Sequence, residues 1–372
     1  MSGDENQSGP SDVKEGANSK TANSKTATPT RAIIALIVVN AMWGTSFPLM
    51  KSLNMEIDHH FGVTGEAVAS SWLRIASAAW MIGIRFALAT ILFAVVFRRI
   101  IRTLDKAHFW AGTQIGGLFC CGLILQVIGL GMIPASRSGF LTSLAVIFTP
   151  IVNAVYQRKA PRLVVIAGAL IAVLGISVLT SLIVYQDGRI MIAEDAVGRW
   201  TLGDTLTTIG AFIFSFQILS VDRLGKKLNS LAFTPSMFLT TSVLSLIVFA
   251  IVQPQIPETS ELGWLAISMN PSFVVLIALL VVFASLLAFS WMNKYQPAVS
   301  AEQAAVVYTT EPLFASSWAL FLPAYLSVWC GIKYANEAFT LPMMVGGALI
   351  LIANVVVLWP EKKANTGGTV TG

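Results

Sequence analysis

The amino-acid sequence predicts an all-α integral membrane protein, with ten transmembrane helices arranged as two inverted five-helix repeats. The first observation behind this prediction is composition, because the 372 residues are 55% hydrophobic and only 12% charged. Mean hydropathy is +0.73, whereas soluble domains carry about 25% charged residues. The other two observations are a series of long apolar segments and an internal similarity between the two halves of the chain.

Ten apolar segments are long enough to cross a bilayer, since a helix needs about 20 apolar residues to cross a hydrocarbon core of about 30 Å. In chain order the predicted spans are Ala32–Leu53, Ala76–Phe97, Phe109–Met132, Arg137–Tyr156, Leu163–Ile183, Leu202–Val221, Phe233–Val252, Ser272–Met292, Ala301–Leu322 and Phe339–Leu358.

These spans divide the chain into two repeats with flanking segments. We expect the first five-helix repeat at residues 32–183, an extracytoplasmic loop at 184–201 and the second repeat at 202–359. Residues 1–31 are rich in Ser, Thr, Asn, Gly and Lys and lack apolar periodicity. They therefore predict a disordered cytoplasmic tail and not a signal peptide, and residues 360–372 predict a second cytoplasmic tail.

The net charge of +5 reflects membrane topology and does not indicate nucleic-acid binding. With the N-terminus in the cytoplasm, 17 of the 24 Lys and Arg residues fall on inner segments and six on outer segments, while Arg85 lies within a span. Positive residues concentrate on the cytoplasmic side of membrane proteins. The sequence therefore predicts cytoplasmic termini, in the bacterial inner (plasma) membrane.

The two halves of the chain resemble each other at corresponding positions. "SGFLTSLAVIFTPIVNAV" from Ser138 aligns without gaps on "SAEQAAVVYTTEPLFASS" from Ser300, which sets Pro150 opposite Pro312, and "GALI" recurs at Gly168 and Gly347. Because five spans is an odd number, the second half would enter the membrane from the opposite side. Inverted repeats of this kind are typical of secondary transporters, whose substrate sites lie near the midplane.

Prolines predict helix starts at some positions and bends at others. Thr234 with Pro235, and Asn270 with Pro271, are expected as cap and first-turn residues. The candidate bends for gating are Pro48, Pro150 and Pro312, which are expected within spans, together with Gly44, which permits close helix approach.

Two charged residues lie deep in predicted spans, where a charge is costly and indicates function. Glu311 could contact a cationic substrate group or carry a proton, or it could be a structural carboxyl beside Pro312. Arg85 could pair with Glu311, bind an anionic substrate group or extend towards the outer interface.

The first span contains an unusual polar and aromatic stretch, "NAMWGTSFPLMKS", from Asn40 to Ser52. At helical spacing Asn40, Trp43 and Phe47 share one face, and an asparagine in hydrocarbon needs a partner. Trp43 also lies away from the interfacial belts that tryptophan prefers. This face is therefore predicted to contact substrate, with Ser46 beside it.

Other polar residues within the spans are individually explained by hydrogen bonds between helices. Together they suggest a polar cavity. The complete set of candidate substrate-binding residues is Asn40, Trp43, Ser46, Phe47, Arg85, Gln126, Asn153, Gln217, Tyr308 and Glu311. We expect no catalytic residue, metal site or cofactor. The adjacent histidines of "MEIDHH" do not predict a metal site, because histidines in an extended loop rarely point at one metal.

Several motifs together resemble the EamA-type transporters of the drug/metabolite transporter superfamily. In order they are "WGTSFPLMK", "IRFALATILF", "FTPIVNAV", "LGDTLTTIGAFIFSFQIL", "TEPLFASSWAL" and "GGALILIANVVVL", within about Ile33 to Trp359. The chain departs from the family at "YQRKAPR", where relatives often carry an acidic residue, and in an enlarged stretch from Asn54 to about Ser71. Glu337 keeps the acidic counterpart in the second half.

The resemblance implies a permease or exporter that moves metabolites, amino acids or drug-like solutes by alternating access, without ATP or covalent chemistry. Expected partners are a small-molecule substrate and membrane lipid, with proton coupling through Glu311 as one interpretation and no nucleic acid. The alternative is a non-transporting membrane sensor or scaffold. An intramembrane enzyme would need a nucleophile or metal set within the spans, and the sequence shows none. The oligomeric state does not follow from the sequence.

Overall fold

The computed structural model describes most of the chain between the predicted tails. The described residues are 29–63, 71–186, 189–193, 196–225, 227–256, 261–299 and 307–357. Nearly all of the predicted N-terminal tail, the whole C-terminal tail and the first residues of the predicted ninth span therefore lie outside the described residues.

The described first half is helical and ends in a short antiparallel hairpin. Its helices are α1 (Pro29–His60), α2 (Ser71–Val96), α3 (Arg98–Ile101), α4 (Lys106–Leu130), α5 (Ala135–Thr142), α6 (Ala145–Tyr156) and α7 (Leu163–Leu179). The hairpin joins β1 (Ile183–Gln186) to β2 (Arg189–Ile192), with Ile183 opposite Ile192.

The described second half is a further series of helices. They are α8 (Ala196–Arg199), α9 (Leu202–Gly225), α10 (Ser230–Val252), α11 (Glu261–Met269), α12 (Pro271–Leu279), α13 (Ala288–Tyr295), α14 (Glu311–Ala319), α15 (Leu322–Cys330) and α16 (Leu341–Val357). A π-helical segment, Leu280–Leu287, joins α12 to α13 without a break. Single 3-10 turns follow α10 at Gln253–Gln255 and α13 at Gln296–Ala298.

Among the described residues, seven stretches of helix are long and apolar enough to cross a membrane. They are Thr30–His60, Trp72–Val96, Lys106–Leu130, Ala135–Tyr156, Leu202–Gly225, Ser230–Gln255 and Pro271–Met292. Helices α14 and α15 meet at a bend of 54° and would add an eighth span as one broken helix. The chain is therefore a polytopic helical membrane protein. Helices α7 and α16 coincide with the predicted fifth and tenth spans but have only 17 residues each, so a total of ten remains a prediction.

The first helix extends further than the sequence predicts. It continues through "MEIDHH" to His60, so the extended loop expected there is wrong. Three polar contacts hold this extension: Asn54 Nδ2 donates to Val127 O (3.2 Å), Glu56 accepts from Ser272 Oγ, and Asp58 pairs with Arg74 (2.6 Å). Buried polar groups that find such partners make helix formation favourable in a stretch that lacks apolar periodicity.

The helix boundaries correct the assignment of Thr234 with Pro235 and give the position of Pro312. Asn229 caps α10, so Thr234 is not its cap and Pro235 lies inside the helix. Pro312 lies in the first turn of α14, where a missing backbone N–H costs nothing, and not in the interior of a helix. The predicted cap at Asn270 and first-turn Pro271 agree with the start of α12.

Helices from the two halves pack against each other throughout the molecule. The most extensive contacts join α2 to α10, α4 to both α9 and α10, and α7 to α16. Helix α1 packs on α13 and α14, which belong to the second half. This arrangement brings the polar stretch of the first span against the second half of the chain.

Candidate functional site

Arg85 lies at the middle of α2 and is 5% exposed. Its Nε donates to Ser285 Oγ (2.8 Å), Nη2 donates to Ala284 O (3.3 Å), and Nη1 lies 3.5 Å from the Met50 sulfur. The guanidinium is therefore held inward by α1 and the π-helical segment and does not extend to the outer interface. No carboxylate forms an ion pair with Arg85 in the part of the chain that the structure describes, so the suggested pairing with Glu311 is not made.

One backbone carbonyl joins Arg85 to Trp43. Ala284 O accepts from Trp43 Nε1 (3.2 Å) as well as from Arg85 Nη2. The carbonyl belongs to the π-helical segment, and π-helical turns are frequent at functional sites because they disturb the regular backbone hydrogen bonds. Residues that are widely separated in the sequence therefore meet at one polar point within the helix bundle.

Aromatic side chains surround this polar point. Phe289 is central, with ring centroids 5.5 Å from those of Trp43, Phe119 and Phe238. Phe86, directly after Arg85, lies 5.5 Å from Phe119 and 5.4 Å from Phe238. These five aromatic residues, which we call the aromatic cluster, come from α1, α2, α4, α10 and α13.

Asn40 is fully buried and connects α1 to the chain before α14. Its Nδ2 donates to Val307 O (2.6 Å) and to Thr310 Oγ1 (3.1 Å). Its Oδ1 has no hydrogen-bond partner among the described residues. The predicted partner for this asparagine therefore exists, and it lies at the non-helical turn of Thr309 and Thr310 that precedes α14.

Glu311 begins α14 directly after that turn and is half-buried. Within the described residues its carboxylate makes no hydrogen bond or ion pair. Tyr308, one turn earlier, stacks near Trp43 at 6.0 Å and donates to Gln296 Oε1 (3.0 Å). Glu311 therefore makes no ion pair with Arg85, and the nearby Tyr308 contacts Trp43 of the aromatic cluster.

Gly44 brings α1 and α14 into direct contact. A Cβ at this position would lie 2.6 Å from Phe314 Cβ and 2.8 Å from Ala315 N. Only glycine therefore fits without displacing backbone, which agrees with the close approach that the sequence predicts for Gly44. Pro48, one turn later, is buried within α1.

The remaining predicted site residues are not part of this cluster. Ser46 donates to Trp43 O of its own helix, and Phe47 lies in the core. Gln126 donates to Thr142 Oγ1 (2.7 Å), and Asn153 accepts from Arg223 (3.5 Å). Gln217 on α9 and Pro150 on α6 are half-buried. Their roles in substrate binding or gating stay predictions.

A second polar region lies where α4, α5 and α9 meet on the predicted outer side. Asp204 is fully buried and accepts from Arg137 Nε and Nη2, both at 2.6 Å, and from Thr201 N and Oγ1, both at 2.8 Å. Lys51 donates to Ile133 O (2.5 Å), just before α5. This region joins α1 and both halves of the chain.

Glu337 caps α5 from the loop before α16. Its carboxylate accepts from Ala135 N (2.6 Å), Ser136 N (3.3 Å) and Ser136 Oγ. Tyr334 is buried in the same loop, and burial together with the negative charge of Glu337 raises the pKa of the Tyr334 phenol. The acidic position expected in the second half is therefore a helix cap for the first half.

Sequence reasoning missed Ala284, Ser285 and Phe289, which contact Arg85 or Trp43. It also missed Phe119 and Phe238, which complete the aromatic cluster. Ser285 carries a signal that could have identified it, because it is an isolated hydroxyl within the apolar run "LVVFASLLAF". A buried hydroxyl needs a partner. The phenylalanines carry no such signal, since most phenylalanines in a membrane helix contact lipid or core.

The fold and this cluster define a polytopic membrane protein with a buried charge at the contact between its two halves. One comparison with known proteins agrees with this class, since it finds a protein that is named a transporter. An "Uncharacterized transporter" of Archaeoglobus fulgidus is 22% identical over 326 residues, covering 88% of this chain and 85% of that protein. No protein-family profile matches the chain. A solved structure titled "Crystal structure of protein" has 18% identity and a TM-score of 0.45, covering 85% of this chain and 95% of that one.

Proposed function

We propose that this chain is an EamA-type permease of the drug/metabolite transporter superfamily, moving small metabolites, amino acids or drug-like solutes by alternating access. The observation that carries the proposal is Arg85, a buried guanidinium without an acidic partner among the described residues, at the contact of helices from both halves. The similarity to a protein named a transporter supports the same class.

Ten spans in two inverted repeats are part of this proposal. Two of the closest helix contacts support it, because α2 packs on α10 and α7 packs on α16, which are the second and fifth spans of each predicted half. The contact of α4 with α9 also has a counterpart in α1 with α13. A two-fold axis in the membrane plane would generate such pairs, and transporters with this symmetry bind substrate at the repeat interface.

In the proposed mechanism the substrate binds beside the aromatic cluster. Arg85 and Glu311 set the charge of the site, and Trp43 and Asn40 contact the substrate. Reorientation of the two halves would then expose the site to one side of the membrane at a time. Opening towards the outer side would require the contacts of Asp204 and Glu337 to separate. Gly44, Pro48, Pro150 and Pro312 would supply the close contacts and bends.

Flux through sealed vesicles tests the carrier proposal. Purified protein would be reconstituted and presented with radiolabelled amino acids, organic acids and cationic dyes, with protein-free vesicles as the baseline. We expect at least one solute to move and Arg85→Gln to reduce that movement, while Arg98→Gln at the exposed start of α3 leaves it intact. Background flux for every solute, with correctly folded protein, would favour a sensor or scaffold.

Proton coupling through Glu311 has its own test. The non-helical turn at Thr309 and Thr310 before α14, and the Glu311 carboxylate without a partner among the described residues, support this role. Glu311→Gln should abolish uptake driven by a proton gradient and retain exchange of solute between the two sides, as measured in the same vesicles. Asp105→Asn, which changes an exposed carboxylate, should retain both. Unchanged pH dependence in a well-expressed Glu311→Gln protein would remove Glu311 from a proton role.

A further inference from the structure

We infer that the Arg85 site binds a small organic anion whose body is aromatic, with its carboxylate on Arg85 and its ring against the aromatic cluster. This inference rests on the proposed function and narrows the substrate class. The arguments come from the charge of the site, from the aromatic side chains around it, and from the acceptors to which Arg85 donates hydrogen bonds.

The charge of the site favours an anion. A buried guanidinium is strongly stabilised by a carboxylate, which it binds through two parallel hydrogen bonds. Among the described residues Arg85 has only neutral acceptors, the Ser285 hydroxyl, the Ala284 carbonyl and the Met50 thioether. A carboxylate that reaches the guanidinium would add an opposite charge, which none of these neutral acceptors supplies.

The walls of the site favour an aromatic body. Trp43, Phe119 and Phe238 surround Phe289 with ring centroids at 5.5 Å, in edge-on arrangements. Aromatic rings prefer such edge-to-face and offset contacts with further rings. Trp43 and Phe119 are only half-buried, whereas Phe238 and Phe86 are fully buried, so the former two offer the surface that a ligand can reach.

Arg85 also excludes the ligand that an aromatic cluster alone would attract. Rings assembled around a space commonly bind an organic cation through their negative faces. Here Arg85 Cζ already lies 5.0 Å from the Phe86 ring centroid. A second cation would be repelled by this fixed positive charge, and so the combination of arginine and aromatic rings selects an anion.

Binding to protein in nanodiscs, measured by isothermal titration calorimetry, tests the charge preference. Four probes are compared. Phenylacetate carries both the ring and the negative charge, phenylacetamide is its neutral amide, phenylethylammonium is a cation with the same ring, and acetate lacks the ring. Phenylacetate should bind at least about tenfold more tightly than phenylacetamide, because hydrogen bonds to a buried charge are strong. Acetate should bind more weakly than phenylacetate, and phenylethylammonium should not compete.

Variants separate recognition of charge from packing. Arg85→Gln should reduce the preference for phenylacetate over phenylacetamide to about one, whereas Arg98→Gln should retain it. A merely structural Arg85 would weaken both ligands equally, which would overturn the inference. Phe119→Leu should weaken phenylacetate more than acetate, because Phe119 is one of the two half-buried rings. If Arg85→Gln does not fold, the pair Arg85→Lys and Ser285→Ala supplies the comparison, since Lys keeps the charge and loses the bidentate geometry.

Flux of the same four probes distinguishes this inference from the proposed function. Movement of phenylethylammonium or phenylacetamide in preference to phenylacetate would overturn the anion site and leave the carrier standing. Phenylacetate binding that depends on Arg85, without flux of any probe or of any solute in the wider panel, would overturn the carrier and support the site. Absence of binding by all four probes would overturn the inference.

Discussion

A buried arginine has five N–H groups and one positive charge to satisfy. Arg85 finds one hydroxyl, one carbonyl and one sulfur in the described residues. A charge at the centre of a membrane helix costs about 2.5–3.5 kcal/mol on insertion scales, and neutral acceptors recover only part of that. Arg85 therefore resembles a ligand-binding group more than an element of packing, and this is the basis of the proposed anion site.

Gly44→Ala should destabilise the protein by about 1–3 kcal/mol, as overpacking does elsewhere. The reason is the Cβ, which would lie 2.6 Å from Phe314 Cβ and 2.8 Å from Ala315 N across the contact of α1 with α14. Thermal stability followed by size-exclusion chromatography measures the effect.

The control for this prediction is Gly117→Ala on α4. A Cβ there meets only Leu244 Cδ1, at 3.9 Å, which is ordinary contact. Equal stability of the two alanine variants would contradict the close approach of α1 and α14.

At the scale of residues, the sequence is informative where the unfavourable free energy of a side chain in hydrocarbon does not depend on its neighbours. Asn40 and Arg85 are unfavourable in hydrocarbon whatever surrounds them. Asn40 was predicted to need a partner and has one, whereas Arg85 donates to neutral acceptors and not to Glu311, which was one of its predicted alternatives. The identity of those partners depends on packing between distant helices. Ala284 could not be predicted as an acceptor, because its role comes from a backbone carbonyl in a π-helical segment.

At the scale of elements, polar contacts at helix ends fix how the helices meet. Glu337 caps α5, Asp204 binds Arg137 and the start of α9, and Asp105 caps α4 by accepting from His108 N (2.9 Å). These three carboxylates differ in burial, from fully buried Asp204 to exposed Asp105, and so differ in expected energetic importance.

Asp204→Asn should cost about 3–5 kcal/mol of stability, because it leaves the Arg137 charge buried without its partner. Denaturant titration of the purified protein followed by tryptophan fluorescence measures the loss. Asp105→Asn is the matched control, since the pair with His108 is exposed and asparagine caps helices as well as aspartate does. A loss for Asp204→Asn no larger than for Asp105→Asn would contradict a structural role for the buried pair.

We expect Tyr334 to make the folded protein less stable as the pH becomes alkaline. Burial and the Glu337 charge raise the pKa of its phenol above the ordinary value of 10.0, so the unfolded chain ionises first as pH rises. The folded state is then favoured fully below pH 10.0 and loses that advantage progressively above it. Tyr334→Phe should remove this part of the alkaline destabilisation, measured as melting temperature from about pH 8 to 11.

At pH 7, Tyr334→Phe should leave the stability of the protein unchanged or increase it, because the Tyr334 hydroxyl has no hydrogen-bond partner among the described residues. An alkaline profile that Tyr334→Phe leaves unchanged would exclude Tyr334 as its origin.

The ends of helices could be predicted where the length of an apolar segment determines them. They could not be predicted where contacts with other helices determine them. The second, third, sixth and eighth predicted spans coincide with helices to within a few residues. The extension of α1 to His60 depends on contacts with α2, α4 and α12, which apolar periodicity does not reveal.

At the scale of the whole molecule, contact between the halves is the defining feature. Every part of the Arg85 site draws on helices from both halves, and α1 reaches across to α13 and α14. A rearrangement of one half relative to the other would therefore change the site itself. This is the structural requirement for alternating access, and it connects the packing of the helices to the proposed transport.

Counterflow measures carrier activity most directly. Vesicles containing the protein would be loaded with excess unlabelled solute, chosen as one that the uptake panel shows to be moved, and a trace of labelled solute would be added outside. A carrier predicts transient accumulation of label above its equilibrium level, retained by Arg98→Gln and strongly reduced by Arg85→Gln. Label that only equilibrates, without an overshoot in folded wild-type protein, would contradict transport by alternating access.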